Sequence, residues 1–169
     1  MADKYLAWGS TAIQEKEATV ASAGIGDAGK MVALDSSGKL DDTVMPAGVG
    51  EETQVAVASE ALTANDVVNF WDDGGTLKCR KASATDSTKP AHGFVKAGAT
   101  LGANATVYTD GFLPGTGFTK GSKYFLATAV GTVATTAPSG AGNIVQSIGV
   151  AVSATAIKFE PTNDFIIRA

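Results

Sequence analysis

From about Glu51 onward the chain sustains no helical apolar period; it breaks instead into about ten short β-type segments stopped by Gly, Pro, Asn or Asp. That rhythm excludes alternating strand–helix layers, because the crossovers that join parallel strands need helices of useful length. Short strands at spacings of ~8–12 residues suit a mainly β fold, a β-sandwich or a jelly-roll-like domain. The clearest local signal is a hairpin: Val67-Val68-Asn69-Phe70-Trp71, the turn Asp72-Asp73-Gly74-Gly75, then Thr76-Leu77-Lys78-Cys79-Arg80. Gln54 to Ala58, His92 to Ala97, Ala105 to Thr109, Lys123 to Ala127, Gly131 to Thr136, Asn143 to Ser153, Thr155 to Glu160 and Asp164 to Arg168 complete the expected strands.

Residues 1–50 differ in character. Gly24, Gly26, Gly29, Gly38, Gly48 and Gly50 fall among Ala, Ser and Thr, with few bulky side chains. Such a segment is costly to order. The spacing allows a short helix over Thr11 to Val20, capped by Ser10 or Thr11 and stopped before Gly24, although its apolar stripe is thin. The segment is expected to be an extended arm or linker ahead of a β-rich domain at 51–169. An arm of this kind suits a neighbour's surface, with Tyr5, Leu6, Trp8, Ile13, Met31, Val32, Leu34, Leu40 and Met45 as its apolar pegs; the alternative is folding back on its own domain.

Composition narrows the function classes. A chain of 169 residues accommodates one domain with a tail, and its apolar content rests on Ala and Val rather than aromatics. A small-residue core buries less area per residue, which oligomerisation would supplement. The net charge of −4 gives no basic footprint for nucleic acid; Lys78, Arg80 and Lys81 read as a solvated face. Cys79 is the single cysteine, so neither an internal disulfide nor a cysteine zinc cluster is expected. No apolar run approaches the ~18–20 residues of a membrane span, and Met1 to Ser10 lacks the pattern of a signal peptide. A soluble protein made in a cytoplasm is the expectation.

Three constellations invite a chemical reading. Gly24-Ile25-Gly26-Asp27-Ala28-Gly29-Lys30-Met31 satisfies G-x-G-x-x-G and approaches the P-loop pattern, but Met31 stands where magnesium needs a hydroxyl. No long helix follows to supply a phosphate-binding N-terminus. His92 is the only histidine, with no G-x-S-x-G nucleophile in the chain; a dyad with Cys79 would require folding to bring them together and lower the thiol pKa. The acidic pairs Asp41-Asp42, Glu51-Glu52 and Asp72-Asp73 lack calcium-loop spacing, and neighbouring acids on a strand face opposite ways. No catalytic, cofactor or metal site is expected, and the chain reads as no enzyme.

The runs Asp27-Ala28-Gly29-Lys30-Met31-Val32-Ala33-Leu34-Asp35, Gly38-Lys39-Leu40-Asp41 and Met45-Pro46-Ala47-Gly48-Val49-Gly50 resemble a linker in structural proteins of tailed bacteriophages. Asp66-Val67-Val68-Asn69-Phe70-Trp71, Ala91-His92-Gly93-Phe94-Val95, Gly121-Ser122-Lys123-Tyr124-Phe125-Leu126 and Val145-Gln146-Ser147-Ile148-Gly149-Val150-Ala151 are similar to phage virion proteins, including small capsid cement (decoration) proteins. The resemblance implies a virion structural protein on the outer capsid surface, made in the host cytoplasm. It would bind the major capsid protein and copies of itself, as a dimer or trimer, and tie neighbouring capsid subunits together. Similar phrases occur in phage tail fibre proteins, so the alternative is a tail fibre or adaptor module that binds a host surface. A small hydrolase built from residues distant in sequence is a third class, and it would turn on His92.

Overall fold

The computed structural model describes residues 4–9, 11–45 and 51–169. It divides into two compact units, Met1–Gly50 and Glu51–Ala169.

In the first unit, β1 (Lys4–Trp8) and β2 (Ile13–Glu17) pair antiparallel, in register from Lys4 opposite Glu17 to Trp8 opposite Ile13. The Gly9 amide donates to the Ala12 carbonyl at 2.8 Å and closes the turn. The helix expected over Thr11 to Val20 is therefore a strand. Its thin apolar stripe offered nothing to bury as a helix, whereas pairing satisfies the main chain and brings Lys4 within 2.6 Å of Glu15. Downstream, Thr19 forms an isolated parallel bridge with Val32, and 3-10 turns occupy Ile25–Asp27 and Asp42–Val44. The segment expected to be a plain arm thus carries specified local geometry. Positions 46–50, which belong to the phage-like linker phrase, lie outside the described residues.

The second unit is almost wholly β, as the segment rhythm required. Five strands, β3 (Thr53–Ala58), β4 (Val67–Asp73), β5 (Thr76–Lys81), β6 (Gly93–Val95) and β7 (Asn104–Tyr108), close a barrel in the order β3-β5-β4-β6-β7. All its pairings are antiparallel except β3 with β5, where Val57 faces Lys78 and Ala58 faces Cys79. The predicted β4–β5 hairpin is present: Gly74 (φ 62°) and Gly75 (φ 89°) both adopt the left-handed conformation that a tight two-residue turn needs. A five-stranded antiparallel sheet follows, built from β8 (Gly111–Pro114), β9 (Lys123–Leu126), β10 (Val133–Ala134), β12 (Ser147–Ser153) and β13 (Ala156–Phe159). Its order is β10-β9-β12-β13-β8. Between β10 and β12 lies β11 (Ile144–Val145), which pairs with β14 (Ile166–Ile167) near the end of the chain.

The consecutive valines of β4 show how one barrel supports two cores. Successive strand residues face opposite ways, so Val68 points inward with Ala56, Ala58, Cys79, Val95, Ala105 and Val107, while Val67 joins a second cluster. Phe94 and Val95 divide in the same manner on β6. Small side chains suit the narrow barrel interior, where Ala56, Ala58 and Ala105 stand. The second cluster carries the bulk: Phe94 meets Phe159 edge-on at 5.0 Å between ring centroids, and Leu113, Leu126, Ile148 and Ile157 pack around them from the sheet. One sheet face is therefore buried. The other stays open and presents Phe112, Val150 and Val152.

Candidate interaction surface

None of the described residues of the first unit is buried. Among the described residues, half of the large apolar side chains left exposed belong to this unit, although it holds under a third of the chain. Of the nine pegs, β1 and β2 bring Leu6, Trp8 and Ile13 together. Directly opposed residues of an antiparallel pair share a face, so Trp8 lies beside Ile13, with Leu6 one step along opposite Glu15. Trp8 is 78% exposed, Leu6 73% and Ile13 61%. Tyr5 faces the other way and is half-buried; its hydroxyl oxygen accepts the Met31 amide at 3.2 Å. Met31, Val32, Leu34 and Leu40 are exposed along the returning chain, and Met45 is half-buried. Ile25, 94% exposed, belongs with these pegs. Sequence inspection passed over it because it stands inside a glycine-rich motif that read as linker.

The Gly24–Lys30 motif does not form a phosphate cradle. Three of its amides bond within the motif, closing successive turns: Asp27 N–H donates to the Gly24 carbonyl at 3.0 Å, Ala28 to Ile25 at 3.2 Å and Lys30 to Asp27 at 3.1 Å. The Lys30 ammonium lies 2.6 Å from the Asp27 carboxylate, and this bond, with the Ala23 amide, holds that carboxyl below its usual range. A lysine so engaged closes a turn.

Cys79 and His92 each bind main chain rather than one another. The Cys79 thiol is buried inside the barrel 3.9 Å from the Ala56 carbonyl, and burial pushes its pKa up. That environment favours the inert thiol over the nucleophilic thiolate. His92 Nδ1 accepts the Phe70 amide at 3.1 Å, and its ring stacks on Phe70.

Burial of that ring lowers the His92 pKa. Accepting a hydrogen bond at Nδ1 acts in the same direction, since protonation would turn that nitrogen into a donor. The unfolded chain then binds the proton more readily than the folded one. This contribution to stability is complete above about pH 6.5, the ordinary histidine value, and is lost as pH falls through the folded-state value. An NMR titration of the histidine is expected to give a midpoint below that of an unstructured peptide. The urea midpoint of unfolding should also fall on acidification, less so in His92→Phe. A titration midpoint at or above the peptide value would show that the ring is not docked.

The basic cluster is likewise committed. Lys81 pairs with Asp66 at 3.2 Å and Lys78 with Asp73. Arg80 donates through Nε to Asn69 Oδ1 at 3.0 Å and through Nη2 to the Thr88 carbonyl at 2.9 Å, with its guanidinium over Trp71. The acidic residues serve turns in the same way: Asp41 accepts from the Thr43 amide and hydroxyl, and Asp72 from the Gly75 amide at 2.9 Å. Glu51 pairs with Lys96, and the Asp42 side chain lies outside the described residues. Among the described residues no three His, Cys, Asp or Glu side chains cluster as a metal site would require, and no helix is long and apolar enough to cross a membrane. No protein-family model, curated protein or solved structure matches the chain.

Proposed function

We propose that this chain is a virion structural protein that binds the outside of a bacteriophage capsid and cements neighbouring major capsid subunits. The observation that carries the reading is the first unit, where seven of the nine pegs stand exposed and no described residue is buried. Ordering a segment of that length opposes folding by ~1–2 kcal/mol per residue in backbone entropy. Turns and a lone two-stranded hairpin do not offset such a term. A covering surface does, and the resemblance of the Asp27–Asp41 phrases to phage linkers supports a capsid shell as that surface.

Cementing is mechanical. The closed barrel and its sheet would form the rigid body, while the pegs seat in depressions on adjoining shell subunits. Each contact is weak alone and multiplied by the symmetry of the lattice. No side chain need do chemistry, and no cofactor is called for.

Removing Met1–Gly50 is expected to leave a folded β unit that no longer attaches to shells. Trp8→Ala alone should weaken attachment by about 2 kcal/mol, as aromatic anchors commonly do, and substitution at Asp41 should not. Undiminished attachment of the truncated chain would overturn the arm's role. The copy number on purified particles tests the location: a fixed ratio to the main shell subunit supports a capsid position, and a few copies per particle would move the protein to the tail.

A further inference from the structure

We propose that the cleft walled by both edge strands of the five-stranded sheet is a binding site for a planar aromatic ring carrying one uncharged O–H or N–H donor, a phenol or an indole. The inference goes beyond capsid attachment and does not depend on it. The cleft measures about 290 Å³ and takes its walls from β8 and β10, the two ends of the sheet order, and from Val67 of β4. An apolar cavity of about 150 Å³ already holds a benzene ring, so one substituted ring fits here. Val67, Leu113, Phe118 and Val133 supply the apolar lining. All four belong to the main core cluster or pack against it, so the site is formed before any ligand arrives.

One charged group stands in that wall: Asp66, only 7% exposed. Its Oδ2 accepts the Thr63 amide at 2.7 Å and lies 3.2 Å from the Lys81 ammonium. Among the described residues, no donor reaches Oδ1. This oxygen stands beside Gly131, also in the wall, where an added Cβ would come within 2.8 Å of it. Every described side-chain oxygen or nitrogen that is sealed from solvent has a partner; Oδ1 is therefore open, and the cleft is where it opens. A carboxylate oxygen set among apolar side chains favours a ligand that brings both apolar surface and a donor. Charge then decides which donor. Lys81 already balances the carboxylate, so a second cation would be stripped of water against a neutral pair. A hydroxyl or indole N–H meets the same lone pair without that penalty, and a ring with no donor would leave Oδ1 dry and unpaired.

The test is a titration of the full chain with p-cresol, followed by amide NMR shifts. Affinity for so small a probe should be about millimolar, with the shifts confined to Asp66, Val67, Val133 and their neighbours along the cleft. Two relatives of the same size separate the contributions. p-Methylanisole lacks the donor and 4-methylbenzylamine is a cation; each is expected to bind about tenfold more weakly. Thr116 is exposed and lines the cleft, so Thr116→Trp should abolish the p-cresol shifts by filling the space. The ligand series uses the unaltered protein and stays decisive should that variant fold poorly. A blocked pentapeptide centred on tyrosine distinguishes two sources of the ring. Tighter binding than p-cresol supports the site as a receptor for a partner's side chain; exclusion of the peptide while p-cresol still binds supports it as a receptor for a free phenol. Shifts scattered over the surface, or p-methylanisole binding as well as p-cresol, would overturn the proposal.

Discussion

Replacing Gly149 by alanine is expected to destabilise the β-rich unit by more than about 4 kcal/mol, well outside the usual range for one methyl group. Gly149 lies within β12, between its partners β9 and β13, where the register of β12 against β9 shifts between Ser147 and Gly149. Its φ is 149°, and an added Cβ would fall 1.9 Å from the Lys158 carbonyl oxygen and 3.2 Å from Ile157 Cγ2. The first of these is main chain on the paired strand, so relief requires β12 and β13 to separate. Ile148 and Ile157 on those strands belong to the main core, and separation would open it. Gly142, also left-handed at φ 79°, has open space where a Cβ would stand. Gly142→Ala therefore isolates the conformational part, about 1 kcal/mol. Urea unfolding of both variants gives the comparison, and similar losses would show that the crowding at Gly149 is relieved without disruption.

The second large effect centres on Gln146. This side chain is fully buried and makes three hydrogen bonds to main chain: Oε1 accepts the Ala91 amide at 2.7 Å, and Nε2 donates to the carbonyls of Ala91 and Thr162, both at 2.9 Å. It acts as a short extra strand, tying the approach to β6 and the segment beyond β13 to the sheet. Gln146→Leu fills much the same space but orphans the buried polar groups, at about 1–3 kcal/mol for each one left without water. A loss of about 3–5 kcal/mol is expected. Gln146→Glu should be little better, since a carboxylate cannot donate to either carbonyl. Amide hydrogen exchange at Ala91 offers an independent readout. Slow exchange retained in Gln146→Leu would mean that another group holds that amide.

Gln146 also marks where sequence reasoning stopped short. Alternation through Ile144, Gln146 and Ile148 places the glutamine on the buried face, so the signal was present. A polar residue among apolar neighbours is easily taken for a solvent position, and its partners lie 55 and 16 residues away. The β4–β5 hairpin, by contrast, was legible to its turn residues because its geometry is local. Barrel closure was not: the pairings of β3 with β5 and β7 join distant segments, and strand alternation says nothing about which strands meet. The Thr11–Val20 helix failed for a related reason, since only the partner strand β1 decides how that short polar stretch satisfies its main chain. Eight of the nine pegs could be recognised as large apolar residues in a segment too poor in them to build a core, and Tyr5 by its aromatic ring. Their grouping into one face required the register.

The parallel contact between β3 and β5 has a consequence for the order of events during synthesis. β3 has no neighbour in the barrel until β5 arrives, and its longer pairing, with β7, waits for Asn104–Tyr108. Pairings this remote in sequence slow folding, because loop-closure entropy is lost before the contacts form. The Lys4–Glu17 hairpin needs only its own turn and leaves the ribosome before the barrel strands. Its apolar face is thus complete while the barrel strands are still an open chain.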